Sequence, residues 1–269
     1  MKRFSCVIAS LFLCVAPALA EKDKHLLLIG QGPDGHPPTT HEFVAGVRIM
    51  EHLMRDTPNL VVTTAKADEP WPEGPKLIDR ADAIVLFLTQ GGMWMRSNPE
   101  RYAAIERLAA RGGGIMALHW AVGAKDAAFI ETSLRFTGAC HGGPDRMYVK
   151  KEGTLHVKEP IHPIATGVND VTLLEEFYYR LKTVKTSPGI QPVLVVDIDG
   201  KEETAAWAWE RPDGGRSFGF VGLHYHKNWE QKDYRRMVKN AILWILKDPI
   251  PAGGANADCP AEIIELPKS

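Results

Sequence analysis

The chain has 269 residues, of which 45% are hydrophobic and 24% charged, and its formal net charge at pH 7 is −1. This apolar content is ordinary for a globular domain. The near-neutral charge and the lack of a basic stripe with interleaved aromatic side chains argue against nucleic-acid binding, so no nucleic-acid partner is expected. The length suits one α/β domain, and no repeat or linker divides it.

Residues 1–20 have the three parts of a cleavable export signal. Lys2 and Arg3 give a positively charged start. Residues 7–15 form an almost wholly apolar run, and Ala18-Leu19-Ala20 is a small-x-small cleavage site. If the chain is cleaved there, the mature protein is expected in the periplasm or outside the cell.

Two other interpretations of this segment are a membrane anchor and a lipoprotein signal. The apolar run is shorter than the ~20 residues that span a bilayer. The bulky residues 11–13 before Cys14 make a poor lipoprotein site. We therefore expect a signal peptide over residues 1–20, an α/β domain over 21–250 that does not contact the membrane, and an irregular tail over 251–269.

Short apolar runs alternate with helical patterns in the first half of the chain. Buried strands are predicted at residues 26–29, 60–64, 82–88 and 115–118. Helices are predicted at residues 41–54, 75–80 and 99–111, with Thr40 and Asn98 as N-caps of the first and the last. The second half adds strands at residues 154–157, 191–197, 204–209 and 218–222 and a helix at 230–246. This order predicts a doubly wound α/β fold with a mostly parallel sheet and additional strands in the second half.

The ends of three predicted strands indicate where a ligand would bind. Doubly wound sheets bind ligands at the carboxyl ends of their strands, so the loops after Ile29, Leu88 and Leu118 should border one crevice. The first loop contains Gly30-x-Gly32-x-x-Gly35, which formally matches the dinucleotide fingerprint. However, His36-Pro37-Pro38 blocks the helix that this fingerprint requires. Nucleotide binding is therefore not expected, and the loop is interpreted as a rim of the crevice.

Several histidines lie in loops or at strand ends. His119 ends the fourth predicted strand, and His141 lies in a Gly-rich loop. His224 and His226 follow the strand at residues 218–222, and period-two alternation places both on one face if that strand continues. These four imidazoles are the expected ligands of a divalent metal ion, with zinc the best match. The alternative is that some of them bind sugar or transfer protons without a metal.

Catalytic roles are predicted for His119, His224 and one acidic residue. An unperturbed imidazole pKa near ~6.5 suits general acid or base catalysis at neutral pH. Glu175 and Glu176 are adjacent in a predicted strand, so they point to opposite faces and at most one faces the crevice. Glu176 is the candidate because it directly precedes an aromatic pattern.

Five further side chains near the predicted crevice are candidates for sugar binding. His36 and His41 belong to the loop after the first strand, and Gln90 follows the third. Trp94 and Trp120 follow strand ends, where their apolar faces could stack on a sugar ring. Ordinary packing would explain each tryptophan equally well.

Cys140 and Cys259 are the cysteines that follow the export signal. In an oxidising compartment a disulfide between them would tie the tail to the body, but the sequence does not show whether they meet. A separate hypothesis makes Cys140 a nucleophile with His141 or His162 as its base. It is disfavoured because adjacent residues rarely align for proton transfer and exported thiols are prone to oxidation.

Short motifs spread over nearly the whole chain after the signal combine into a family resemblance. They are residues 36–43 (HPPTTHEF), residues 112–119 (GGGIMALH), the Gly-rich segment that ends at His141, His162-Pro163, residues 175–178 (EEFY) and residues 222–224 (GLH). Together they resemble the trehalose-utilisation ThuA-like proteins, which have the class I glutamine amidotransferase-like fold. The resemblance implies a flavodoxin-like sheet and a link to the metabolism of trehalose-like or oxidised (keto) sugars.

The resemblance does not extend to the amidotransferase reaction. In amidotransferases the turn after the equivalent strand carries a nucleophilic cysteine. Here His119 takes that position, and imidazole cannot form the glutamyl thioester, so glutaminase activity is not expected. The sequence predicts an exported, metal-assisted enzyme that acts on a small sugar or keto-glycoside as an isomerase, lyase or hydrolase. The alternative is a non-catalytic sugar-binding protein derived from the same fold.

Overall fold

Strands and helices alternate over residues 23–266, which are the residues that the computed structural model describes. The predicted export signal at residues 1–20 lies outside them. The strands are β1 (Lys24–Gly30), β2 (Leu60–Lys66), β3 (Ala83–Leu86), β4 (Gly114–Leu118), β5 (Gly123–Ala124), β6 (Ala139–Gly142), β7 (Met147–Val157), β8 (Val171–Tyr179), β9 (Lys182–Thr183), β10 (Gln191–Ile198), β11 (Lys201–Glu210) and β12 (Arg216–Phe220). The helices are α1 (Phe43–Met54), α2 (Gly74–Arg80), α3 (Gly91–Ser97), α4 (Pro99–Ala110), α5 (Ile130–Thr137), α6 (Lys232–Ile245) and α7 (Ala261–Ile264).

One large sheet forms the centre of the domain, with the strand order β2-β1-β3-β4-β12-β11-β10-β7-β8. Neighbouring strands from β2 to β12 are parallel. Every residue of β3 and β4 is buried, as expected where helices cover both faces of a parallel sheet. α1 packs with α6, and α4 packs with α2 and α3. The predicted doubly wound α/β fold is therefore confirmed.

The other half of the sheet is antiparallel and runs from β12 to the edge strand β8. The predicted strand at residues 154–157 is only the end of β7, which begins at Met147. The sequence pattern misses the first part of β7 because its side chains alternate between partly buried and exposed, and Tyr148 is 55% exposed. The extended β7 pairs with β8 from Met147 to Leu155. This pairing positions β8, the strand that carries Glu175 and Glu176.

The two predicted helix caps have different outcomes. The Asn98 side chain accepts the backbone N–H of Arg101 at 2.9 Å and caps α4, as predicted. The prediction for Thr40 is wrong: α1 begins at Phe43, and the Thr40 hydroxyl donates to the carbonyl of Pro37 instead. No helix within residues 23–266 is both long and apolar enough to cross a bilayer.

The tail beyond residue 250 is irregular except for α7 and is attached to α6 by buried hydrogen bonds. The Asn240 side chain accepts the backbone N–H of Ala255 at 2.9 Å, and Arg235 donates to the carbonyl of Ala257 at 2.9 Å. Both alanines are buried. Cys140 and Cys259 are free, so no disulfide contributes to this attachment.

Candidate histidine-cluster site

Three histidines converge at the carboxyl end of the parallel strands. His41 lies between β1 and α1, His119 directly follows β4, and His224 lies in the loop after β12. The Nε2 atoms of His41 and His119 are 3.0 Å apart. The Nδ1 atom of His224 is 3.1 Å from Nε2 of His41 and 3.2 Å from Nε2 of His119. All three side chains are buried, so three ring nitrogens form a small triangle out of contact with bulk water.

The backbone at this cluster is strained. His41, His119 and Leu223 have φ angles of 53°, 48° and 79°, in the left-handed region that side chains other than glycine seldom adopt. Two backbone hydrogen bonds join the loop of His41 to the loop of His224: the His41 N–H donates to the carbonyl of His224, and the His226 N–H donates to that of Thr39. Backbone strain of this kind concentrates at functional sites.

The outer nitrogens of two of the rings have fixed hydrogen-bond partners. Nδ1 of His119 is 2.8 Å from the carbonyl oxygen of Val221, and Nδ1 of His41 is 2.7 Å from a carboxylate oxygen of Asp34. That Asp34 oxygen also accepts the Thr89 hydroxyl at 2.6 Å. Burial alone would raise the pKa of Asp34, but the hydrogen bonds from His41 and Thr89 hold it well below its usual range. Asp34 is therefore ionised and can only accept, so both Nδ1 atoms donate.

This assignment leaves lone pairs facing each other inside the triangle. With a proton on each Nδ1, the Nε2 atoms of neutral His41 and His119 are both acceptors, although they are only 3.0 Å apart. Burial, together with the neighbouring His41 and His224, holds the pKa of His119 well below its usual value. Burial likewise lowers the pKa of His224 to about 3. A metal ion or a proton between the rings would satisfy these lone pairs, and so would the tautomer of neutral His224 that carries its proton on Nδ1 and donates to one Nε2.

The spacing also suits a metal ion. Two imidazole nitrogens bound to one tetrahedral zinc ion at about 2.05 Å lie roughly 3.3 Å apart. The observed separations of 3.0, 3.1 and 3.2 Å are within a few tenths of this value. The pairing of His41 with Asp34 matches the carboxylate–histidine arrangement that orients metal ligands. Three imidazoles with a free fourth position are also the ligand set of catalytic zinc sites.

A tyrosine and a carboxylate border the triangle. The Tyr178 hydroxyl lies 3.1 Å from Nε2 of His119, and its ring is stacked between those of His119 and His141. Glu176 places one carboxylate oxygen 3.9 Å from Nδ1 of His224 and the other 3.1 Å from the Lys150 ammonium. Burial, reinforced by Glu176, raises the pKa of Tyr178 well above its usual value, so the phenol stays protonated.

The structure brings together several of the residues that the sequence singled out. His119, His224 and Glu176 meet at the cluster. His41, a sugar-binding candidate, is the third member of the triangle. His36 stacks on His41 with ring centroids 3.6 Å apart and is partly exposed at the rim. The predicted crevice is thus formed by the expected loops, since Thr89 after β3 bonds to Asp34 after β1.

Two of the expected metal ligands lie outside the triangle. His141 packs against Tyr178 and Trp120, and its ring nitrogens are not among those that converge. His226 points toward the tail, where its Nε2 contacts the carbonyl of Ile264 at 2.5 Å. The expectation that His224 and His226 share a strand face is wrong, because β12 ends at Phe220 and a 3-10 turn starts at His226.

The remaining sugar-binding candidates are largely occupied by contacts within the protein. Trp94 is 6% exposed and packs between Trp71 and the Arg101 guanidinium. Gln90 accepts the backbone N–H of Lys125 at 2.9 Å. Trp120 is 7% exposed and lies edge-on to Tyr178, close to the cluster. Of these three side chains, Trp120 is the one that borders the site.

The hypothesis of a Cys140 nucleophile finds no support in the geometry. Burial raises the pKa of the Cys140 thiol to about 11, so it is protonated at neutral pH. His162 accepts the backbone N–H of Ile164 and packs on Trp244. His141, the other candidate base, stacks on Tyr178. No activated thiolate exists in this arrangement.

Sequence reasoning assigned no role to Asp34, Thr89 or Tyr178, and it chose Glu176 over Glu175. All four side chains shape the site, and Glu175 accepts the backbone N–H groups of Leu223 and His224. Asp34 and Thr89 could have been found, because both lie in loops that the strand order already placed at the crevice. Tyr178 and Glu175 could not, because their approach depends on how the antiparallel half of the sheet is arranged.

Comparisons with known proteins agree with this architecture. A ThuA-like protein from Bacteroides uniformis has a similar structure, with a TM-score of 0.61 and 13% identity over 86% of this chain and 95% of its own. A cytoplasmic protein from Salmonella typhimurium is similar with a TM-score of 0.50 and 13% identity, over 83% of this chain and 97% of its own. No curated protein sequence matches significantly. The family model ThuA, described as trehalose utilisation, matches residues 33–245, and the chain therefore belongs to the ThuA family.

Proposed function

We propose that this protein is a metal-assisted enzyme that acts on a small carbohydrate. The observation that carries the proposal is the triangle of His41, His119 and His224, in which two ring nitrogens present lone pairs 3.0 Å apart. The description of the family as trehalose utilisation supports a sugar as substrate. A keto-glycoside suits the site best, because a carbonyl group is the substrate feature that a Lewis acid polarises.

The chain supplies the other parts that such a reaction needs. A divalent metal held by the three histidines would polarise a carbonyl or hydroxyl group of the sugar. The Tyr178 phenol lies 3.1 Å from Nε2 of His119, so with that lone pair on a metal its O–H group would be free to donate to a substrate oxygen beside the cluster. Glu176, with one oxygen 3.9 Å from Nδ1 of His224, accepts a proton from a bound hydroxyl or an acidic C–H group. Isomerisation, lyase cleavage and hydrolysis all use a polarised oxygen together with an acid–base pair.

A second candidate function follows if the lone pairs of the triangle are satisfied without a metal. A proton on Nε2 of His41 would bridge to His119 while Nδ1 still donates to Asp34, giving a buried ion pair without a metal. Such a site would bind the hydroxyl groups of a sugar, and this is the non-catalytic alternative. Metal content separates the two candidates.

The test is elemental analysis of the purified mature protein together with two variants. We expect about one zinc or other divalent ion per chain, and its loss in the double variant His119→Ala/His224→Ala. His156→Ala is the matched control, because His156 forms an exposed pair with Asp170 away from the cluster. Metal-free wild-type protein that still binds sugar would overturn the enzyme proposal in favour of the binding protein.

We also propose that the protein is exported. The support is the three-part pattern of residues 1–20 in the sequence. Mass spectrometry of the protein from fractionated cells should give a chain that starts at Glu21 in the periplasm or the medium. An intact N-terminus on protein recovered from the cytoplasm would contradict the proposal.

A further inference from the structure

Glu175 is the most completely hydrogen-bonded carboxylate near the cluster, yet it does not face the triangle. One of its oxygens accepts the N–H groups of Glu176 at 2.8 Å and His224 at 3.1 Å. The other accepts the N–H of Leu223 at 2.8 Å, the Asn228 amide at 2.9 Å and the Tyr234 hydroxyl at 3.3 Å. The residue is fully buried, and all five of these donors are uncharged groups.

Two of these donors belong to the strained turn that carries a cluster histidine. Leu223 has a φ angle of 79°, which a non-glycine residue seldom adopts and which persists only where the surroundings enforce it. The N–H groups of Leu223 and His224 both point to the Glu175 carboxylate. Glu175 belongs to β8, whereas the turn follows β12, so this contact joins the antiparallel edge of the sheet to the site.

We propose that Glu175 is a positioning residue that holds the turn at residues 223–224 in its strained form and so keeps Nδ1 of His224 in the triangle. The inference deepens the proposed function and rests on it for its metal-binding consequence. Its structural part, the holding of the turn, does not depend on a metal. Glu176 faces the site, while Glu175 fixes the backbone of one of the site's histidines.

The donors around Glu175 explain why a carboxylate is needed there and an amide would not serve. A glutamine offers one acceptor oxygen and one NH2 group in place of two acceptor oxygens. If its oxygen accepts Glu176 and His224, its NH2 group faces the N–H of Leu223, which cannot reverse its polarity. The Tyr234 hydroxyl can rotate and accept, so it tolerates the change. In this orientation the turn loses its bond at Leu223, and in the opposite orientation it loses the bond at His224, so one turn amide is left without its acceptor either way.

The experiment compares Glu175→Gln with Tyr234→Phe, which removes the longest bond to Glu175 without touching the turn. Amide hydrogen exchange is measured for Leu223 and His224, with the buried strand β3 as an internal reference. Zinc affinity is measured by competition with a chromophoric chelator. We expect Glu175→Gln to speed exchange at the two turn amides about tenfold and to weaken zinc binding about tenfold, with β3 unchanged. Tyr234→Phe should change neither quantity more than about threefold.

The outcomes separate this inference from the proposed function. If Leu223 and His224 exchange at the wild-type rates in Glu175→Gln, the positioning role is overturned. It is also overturned if Tyr234→Phe speeds exchange at these two amides as much as Glu175→Gln does. If wild-type protein binds no metal, the proposed function fails, while the exchange rates still decide whether Glu175 holds the turn. If Glu175→Gln does not fold, Glu175→Asp takes its place, because its shorter carboxylate is withdrawn from both turn amides.

Discussion

Replacing Asp34 with asparagine tests whether this carboxylate prepares His41 to bind a metal. The shared acceptor for His41 and Thr89 is one Asp34 oxygen, so the asparagine oxygen should take that place and its NH2 group should face His36. The ring and the backbone N–H of His36 both contact the second Asp34 oxygen, and water can replace that oxygen because both contacts are exposed. The hydrogen bond from Nδ1 of His41 to residue 34 is then kept, but its acceptor is no longer charged. A hydrogen bond to a charged group contributes about 1.5–3 kcal/mol and a neutral one about 1 kcal/mol.

A difference of about 1.4 kcal/mol corresponds to a tenfold change in the dissociation constant. We therefore expect Asp34→Asn to bind zinc about tenfold more weakly than the wild type, measured by competition with a chromophoric chelator at fixed pH. The matched control is Asp170→Asn, because Asp170 accepts Nδ1 of the exposed His156 at the same distance, 2.7 Å. Wild-type zinc affinity in Asp34→Asn would refute the assignment of Asp34 as the residue that orients His41.

Three further predictions concern parts of the molecule away from the cluster. In the mature protein, a thiol reagent at pH 8 should label Cys259 and leave Cys140 unlabelled until the protein unfolds, because Cys140 is fully buried and its thiol pKa is about 11; equal labelling rates would contradict this. Asn98→Ala should lower the free energy of unfolding by about 1 kcal/mol, since it removes the cap bond to Arg101, and a wild-type denaturation midpoint would show that water replaces the cap. Burial lowers the pKa of His162 to about 4 from its usual value of 6.5, so the unfolded chain binds the proton first and stability is lost as the pH falls from 6.5 toward 4. Urea denaturation at pH 7 and pH 5 should therefore show a smaller loss in His162→Gln than in the wild type, and identical losses would exclude His162 as a contributor.

The position of the site could be predicted from the sequence because parallel strands end at one edge of a sheet. The loops after Ile29 and Leu118 carry His41 and His119, and these residues meet as that rule requires. Asn98 could likewise be assigned as a cap, since capping depends on residues only a few positions apart. In both cases the deciding interaction is local or follows from strand order.

Which three histidines form the triangle could not be predicted, because it depends on where each loop turns. His226 looked equivalent to His224 in sequence, but the chain leaves β12 at Phe220 and directs His226 to the tail. Glu175 and Tyr178 reach the site because β8, although it is the edge strand and four positions from β12, also contacts β11. No periodicity in the sequence encodes that approach.

The three cluster histidines are far apart along the chain: His119 is 78 residues from His41 and 105 from His224. An unfolded chain therefore has no comparable site, and the triangle closes only after the first and last strands of the parallel sheet have both been placed. An ion bound there would cross-link three distant segments and close two long loops. Like a covalent bridge, it would stabilise the folded state relative to the unfolded chain. In a domain whose two cysteines are free, this cross-link would take the part that disulfides play in many exported proteins. The protein would acquire the ion in the compartment where it completes its folding. The metals supplied there would then determine which ion it carries.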